Sequence, residues 1–269
     1  MNFFINLKNT EISYRELTLK DYKFLLKSVY GEVEDVKLCI ENLISLISSL
    51  TDKPKSWICS LNLLEFICFF IDLRSNSIGS LCPLTLKKDQ KTNVDLNLNR
   101  VRDLFMSVCQ YKQIDIEELQ FSLKLPPTSF YLLNEPDSLG YCVERVCFAG
   151  KEYNLTSEET LVLLDKMPLK NSLVLNKEIE NMLRNANDIN IFSMFNKEEL
   201  YLPFKLSLSS CIWFIKLIFG EPLEDLFSNI FYLSHHSNMS SSYLETCSVG
   251  EYKYFVNLLK KTLSPPENL

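Results

Sequence analysis

The sequence predicts an α+β fold, mostly helical with short antiparallel β-hairpins, and three features lead there. Apolar residues recur at helical spacing over much of the chain, short strand-like stretches are closed by polar turns, and glycine is scarce, at 6 of 269 residues. So few glycines disfavour many-stranded, turn-rich barrels and glycine-rich phosphate loops. Hydrophobic residues make up 46% and charged residues 23%, the balance of a chain that folds around a core. This length supports one large domain or two smaller ones. No long linker or low-complexity tract divides it. We expect three regions with soft boundaries: an N-terminal α+β region at 1–110 (hairpin, helices, second hairpin), a middle α+β region at 111–205 and a C-terminal helical region at 206–269.

Phe3 to Leu7 and Glu11 to Leu17 read as strands joined by Lys8, Asn9 and Thr10. Thr18 caps the following helix, with Asp21 three residues on; Tyr22, Leu25, Leu26 and Val29 share a face, and Gly31 closes it. Glu32, Glu34 and Asp35 put negative charge at the start of a second helix, where the helix dipole favours it. Its apolar stripe is Val36, Cys39, Ile40, Leu43, Ile47 and Leu50, and Asp52-Lys53-Pro54 ends it. Leu61 to Leu73 is apolar nearly all round, which predicts the most buried helix of the first half. Arg74 to Gly79 then reads as a polar turn and Lys87 to Lys91 as a hairpin tip. Asn99 to Gln110 reads as a helix through Val101, Leu104, Phe105 and Val108.

In the middle region Glu118 to Leu125 reads as a strand, and Pro126-Pro127 and Asn134 to Gly140 as turns. Tyr141 to Phe148 and Lys151 to Leu155 form a hairpin around Ala149-Gly150. Thr156 and Glu159 make a capping box for a helix through Leu161, Leu164 and Met167, which Pro168 stops. The order of hairpin then capped helix thus occurs near 3–30 and near 141–167, but the residues do not match. Ser207 to Phe219 is a helix ended by Gly220, and Pro222 opens the next. That helix is expected to bury Leu223, Leu226, Phe227, Ile230 and Phe231. Ser248 and Glu251 form a C-terminal capping box ahead of Tyr252, Phe255, Leu258 and Leu259, and Ser264 to Leu269 is expected to fray.

The residue inventory speaks against most chemistry. The formal net charge is −6, and basic residues form no run longer than the pairs Lys87-Lys88 and Lys260-Lys261, so no nucleic-acid partner is expected. The apolar runs at 57–73 and 206–219 contain Asn62, Glu65, Asp72 and Lys216. They fall short of the ~20 apolar residues that span a bilayer, so they read as buried helices and no membrane partner is expected. The N-terminus lacks a basic region followed by a long apolar stretch, so no signal peptide is expected.

Nine cysteines without a CxxC, mostly inside apolar runs, read as reduced buried thiols in a cytosolic compartment. Cys142 and Cys147 would sit on opposite faces of a strand, and no pair has zinc-ligand spacing, so no metal is expected. The two histidines, His235 and His236, are adjacent and have no GxSxG elbow beside them; they read as a helix C-terminus. The acidic pairs Glu117-Glu118, Glu158-Glu159 and Glu198-Glu199 read as helix starts or solvated edges. Neither GxxxxGK[ST] nor GxGxxG occurs, so no cofactor and no catalytic residue is assigned. With 18 Phe and 12 Tyr, most rings belong in the core and the remainder suits a partner-binding patch.

Two segments carry a resemblance. The first is the order of strand pair, ISYRELTLKDYKFLLKSVYG (12–31), acidic-start helix and LLEFICFFIDLRSNSIG (63–79) before a second strand pair; the second is SNIFYLSHHSNMSSSYLETCSVGEYKYFVNLLKK (228–261). Both resemble the baseplate hub assembly protein family of T4-like contractile-tailed phages; the stretch from about 111 to 205 carries no match. The resemblance implies a non-enzymatic phage protein, a hub assembly factor or minor hub component, that contacts other baseplate hub or tail proteins. It would act in the host cytoplasm during assembly and in the virion baseplate. It also implies that Arg74 and Gly79 shape the turn after the buried helix. Gly79 would supply a positive φ, and Arg74 would pair with a carboxylate or cap the helix's last carbonyls. Two other readings stay open: a tail assembly chaperone holding the tape-measure protein, marked by an exposed apolar groove, and an enzyme of unrecognised type, marked by a closed pocket with converging polar groups.

Overall fold

Local turn chemistry sets the first element pair. In the computed structural model, which describes residues 2–31, 35–87, 91–109, 112–133, 138–191 and 202–263, Lys8 and Asn9 both adopt positive φ, at 50° and 55°. Two such residues make the tight turn whose twist suits a hairpin, so β1 (Asn2–Leu7) pairs antiparallel with β2 (Thr10–Arg15), Leu7 opposite Thr10. Four helices follow: α1 (Leu19–Tyr30), α2 (Val36–Leu50), α3 (Lys55–Cys59) and α4 (Leu63–Ser77). The hairpin β3 (Leu81–Lys87) with β4 (Lys91–Asn97) leads into α5 (Leu98–Val108). Next come β5 (Lys112–Ile116), β6 (Leu119–Leu123), α6 (Thr128–Leu133), α7 (Leu139–Cys142), β7 (Val143–Phe148) and β8 (Lys151–Asn154). The chain continues through α8 (Ser157–Lys166), α9 (Leu169–Asn187), β9 (Ile189–Asn190) and β10 (Pro203–Phe204). It ends in α10 (Leu208–Phe219), α11 (Leu223–His236), α12 (Ser241–Thr246) and α13 (Val249–Leu263). The fold is α+β and mostly helical, and its strands form small antiparallel sheets.

These elements form two compact units: Met1–Lys55 with Phe69–Asn99 and Ile212–Leu269, and Ser56–Cys68 with Arg100–Cys211. Each gathers stretches far apart in sequence, whereas the regions expected at 1–110, 111–205 and 206–269 are contiguous. The backbone of the first unit gives the reason. Leu19 N donates to Cys247 O at 2.8 Å and Val249 N to Leu17 O at 3.0 Å, so the C-terminal helices are tied to the start of α1.

In the first unit α1 begins with a complete capping box between Thr18 and Asp21. Arg15 reaches the same carboxylate with both terminal nitrogens. Burial pulls the Asp21 pKa up, but the bonds from Arg15 and Thr18 outweigh it and hold the carboxyl below its ordinary value. A carboxyl depressed by folding contributes stability above its unfolded value, about pH 4, and loses that contribution as pH falls through its folded value. Acid titration of the unfolding free energy should therefore fall less steeply in Asp21→Asn than in the native chain; equal slopes would remove Asp21 from the account.

α2 is capped by Asp35, whose side chain accepts from Lys37 N and Leu38 N. Glu32 and Glu34 lie outside the described residues. Its buried face is Cys39, Ile40, Leu43, Ile44, Leu46, Ile47 and Leu50; Val36 is only half-buried. Phe69 and Phe70, the first residues that α4 gives this unit, are buried, and Phe69 packs 5.2 Å from the Tyr14 ring. Tyr14 in turn donates its hydroxyl to Asp72, and Asn76 Nδ2 donates to the Tyr14 oxygen at 2.6 Å and to Asp72 at 3.2 Å. This network places Asn76 on the helix, so α4 runs to Ser77 where the sequence suggested a polar turn from Arg74.

In the second unit, Asn62 and Glu65 form the opening cap of α4. Asn62 Oδ1 accepts from Leu64 N and Glu65 N, and Glu65 accepts from Asn62 N. Every residue from Leu61 to Cys68, the part of this stretch that belongs to the unit, is buried. The four-stranded sheet runs β5-β6-β7-β8 as a meander. Glu117 (φ 56°) turns the first hairpin, and Ala149 (49°) and Gly150 (76°) turn the last. Cys142 ends α7 and is not on the strand, so it is not placed against Cys147 as expected. Gly140 is helical too; a Cβ there would lie 2.8 Å from Ser157 O, so only glycine allows α7 to approach α8 so closely. α9, the longest helix described, buries Leu175, Ile179, Met182 and Ala186.

Candidate functional site

The first unit holds an open cleft of about 600 Å³, lined in part by Arg74, Cys82, Gly220, Glu221, Asp225, Lys253 and Lys260. Its floor follows from how α10 stops. Gly220 (φ 55°) reverses the chain after Phe219, and Pro222, which has no N–H to waste, opens α11. Glu221 between them is carried back toward α1 and α13. Its carboxylate accepts from Tyr22 Oη at 3.0 Å, Tyr252 Oη at 3.2 Å, Lys253 Nζ at 3.3 Å and Asn229 Nδ2 at 3.5 Å. Burial, then the charge of Glu221, pushes both tyrosine hydroxyls well above their ordinary pKa, so they stay donors at any working pH.

Arg74 enters from the last turn of α4 and is 7% exposed. Its Nε donates to Ile218 O at 2.9 Å, Nη1 to Gly79 O, and Nη2 at 3.5 Å to Leu81 O. It therefore joins two backbone segments, the stretch after α4 and the end of α10, through three carbonyls. Among the described residues it pairs with no carboxylate, and the carbonyls it binds are not those of α4's own last turn. Desolvation lowers its pKa, partly offset by Cys82 and Tyr22; a guanidinium so placed remains charged.

Gly79 has φ 131°, in the region that favours glycine, and a Cβ there would meet nothing within 4 Å. Gly79→Val should then cost only backbone strain, about 1–2 kcal/mol, with Gly79→Ala close behind. Equal melting temperatures for all three chains would show that the turn tolerates side chains. Ser248 and Glu251 bond reciprocally at the start of α13: Ser248 N donates to Glu251 Oε2 at 2.8 Å and Glu251 N to Ser248 Oγ at 3.2 Å. They lie on the same helix as Lys253. Sequence reasoning singled out Arg74 but missed Glu221, whose partners lie up to 199 positions away.

His235 and His236 are exposed at the end of α11, stacked against Phe231 and Tyr232. Among the described residues no cluster of three or more His, Cys, Asp or Glu is placed to hold a metal, and no helix is long and apolar enough to cross a membrane.

α11 corrects the expected stripe. Only Leu226 and Leu233 are buried on it, while Phe227 is 42% and Phe231 64% exposed. Leu226 and Leu233 lie seven apart, two helical turns, and they define the side turned inward; the phenylalanines fall beside it. In the second unit, Leu169 and Leu173, one turn apart on α9, are 76% and 59% exposed, and neighbouring Val174 is 46% exposed.

Over residues 1–199 the chain matches the model of a family described as T4 bacteriophage base plate protein. No curated protein and no solved structure matches it. The matched span includes most of the middle stretch in which residues alone showed no likeness. It ends before the C-terminal segment at 228–261, so that part of the resemblance lies outside it. With 199 of 269 residues matched, the chain belongs to the T4 bacteriophage base plate protein family.

Proposed function

We propose that this protein is a non-enzymatic baseplate hub assembly factor or minor hub component, acting through contacts with other baseplate hub or tail proteins. The observation that carries this reading is large apolar side chains left in water on regular helices: Leu169, Leu173 and Val174 on α9, and Phe227 and Phe231 on α11. Single exposed apolar residues are ordinary, but side chains grouped on one helix face suit a surface that a partner covers. Membership of a baseplate family names the class of partner. The absence of recognisable nucleophile–base or nucleotide-binding signatures in the sequence fits the same reading. The protein would work in the host cytoplasm while the baseplate is built and stay in the particle if it is a component.

Mass spectrometry of purified particles beside infected-cell lysate tests this. A fixed low copy number in the particle makes the protein a component of the baseplate. Recovery with hub proteins from lysate alone makes it an assembly factor. Recovery with tape-measure protein instead would support the tail-chaperone reading, and association with none of these overturns the proposal.

A further inference from the structure

We propose that the outer face of α1 docks an acidic, amphipathic segment of a partner protein. That the partner is a hub or tail protein rests on the contact role proposed above; the chemistry of the face does not. Tyr22, Leu25, Leu26 and Val29 turn into the core, and the opposite side of the helix carries Lys20, Lys23, Phe24, Lys27 and Tyr30. Asp21 is the only acid on α1, and Arg15 and Thr18 occupy it. The lysines follow one another at about one turn, so they make a basic stripe about 10 Å long. Helical spacing hides it in the sequence, where it forms no basic run.

Among the described residues, Lys23 alone of these three forms an ion pair, with Glu245 of α12. The Lys23 bond, and then the charges of Lys20 and Lys27, hold the Glu245 carboxyl below its ordinary value, so three ammonium groups act on one carboxylate. Glu224, one turn before Phe227 on α11, forms no ion pair among the described residues, and counting it still leaves the lysines in the majority. Apolar rings flank the stripe. Phe24 is 41% exposed, and Lys27 Nζ lies 5.6 Å over the exposed ring of Phe227. A segment with carboxylates and apolar side chains matches both the charge and the rings. The net charge of −6 repels such a segment from the rest of the chain and steers it here. A nucleic acid fits less well, because its bases stack on open ring faces. Here an ammonium already lies over Phe227, and that of Lys216 lies 5.4 Å over Tyr30.

The test is fluorescence anisotropy with the full chain. The probes are a fluorescein-labelled Glu-Ala-Leu-Glu-Ala-Leu-Glu peptide, its Gln counterpart, a version with Ser for Leu, and a labelled short oligothymidylate. The Glu peptide should bind, and the Gln peptide should bind about tenfold more weakly, the loss of a few exposed ion pairs. The Ser version should also bind more weakly, and Phe24→Ala should weaken the Glu peptide several-fold.

Lys20→Glu combined with Lys27→Glu should reduce binding of the Glu peptide about tenfold or more. Both side chains are exposed, and Lys20 sits in the first turn of α1, where the helix dipole favours an anion, so the double variant should keep its melting temperature. No binding of the Glu peptide, equal binding of the Glu and Gln peptides, native affinity in the double variant, or tighter binding of the oligothymidylate would each overturn the proposal. Peptide binding by a chain that recovers no hub or tail protein from infected-cell lysate would keep this face and remove the baseplate role. Hub recovery undiminished by the two lysine changes, with no peptide bound, would do the reverse.

Discussion

Phe69→Ala is expected to lower the unfolding free energy by about 3–5 kcal/mol, the usual cost of deleting a buried ring. The side chain is 1% exposed and lies between two other rings, 5.2 Å from Tyr14 and 6.0 Å from Phe70. Two costs add here. The ring's transfer free energy is lost, and the cavity left behind is walled by helix and hairpin elements that close in only partly. Tyr14 also loses the ring beside it, while its hydroxyl remains tied to Asp72 and Asn76, so it cannot simply swing into the space. Against a typical domain stability of about 5–15 kcal/mol, this is a large fraction. Phe231→Ala is the control. At 64% exposure it should change stability by no more than about 0.5 kcal/mol. Urea unfolding of the two variants beside the native chain reads both. A loss below about 1 kcal/mol for Phe69 would mean that this part of α4 is not the packed centre of its unit.

The existence of α4 was legible because thirteen residues from Leu61 to Leu73 carry apolar side chains on every face, a pattern that only a buried helix uses. Its end was not. Arg74, Ser75, Asn76 and Ser77 are polar and look like a turn, yet they stay helical because Asn76 and Arg74 find partners from distant stretches of chain, at Tyr14 and Ile218. Its beginning was available and overlooked: Asn62 and Glu65 have the spacing of a capping box. The same is true of α9, whose Leu175, Ile179, Met182 and Ala186 keep helical spacing, and of β5, whose two isoleucines alternate with polar residues.

α11 shows a different limit. Leu226 with Leu233 and Phe227 with Phe231 both satisfy helical spacing, and nothing local chooses between them. The choice is made by the elements packed against the helix, α1, α12 and α13, parts of which lie nearly 200 residues away in sequence. The cleft follows the same rule. Gly220 and Pro222 announced a helix–helix corner, but the Glu221 between them becomes a hydrogen-bond centre only once α1 and α13 bring Tyr22 and Tyr252 to it.

Glu221→Leu should therefore be the costliest change at the cleft, at about 3 kcal/mol, on the order of leaving two buried hydroxyls without an acceptor. The two hydroxyls are not equivalent. Tyr22 also lies 3.2 Å from Phe219 O and can turn its proton there, so its loss is partly recovered. Tyr252 is also bonded by the Asn229 side chain, but as a donor to its oxygen, which does not replace the acceptor it loses, so most of the cost falls on α13. Lys253, about one-third exposed, adds little, because water takes over from the lost ion pair. Glu221→Gln keeps one carbonyl oxygen for one tyrosine and should cost about half as much. Tyr252→Phe in the Glu221→Leu background removes the stranded hydroxyl itself. The double variant should then be more stable than Glu221→Leu alone, a sign that a merely steric role for Glu221 would not produce. Thermal unfolding of the four chains decides it. If Tyr252→Phe further destabilises Glu221→Leu, the carboxylate is not what holds that hydroxyl, and the account of the corner between α10 and α11 fails.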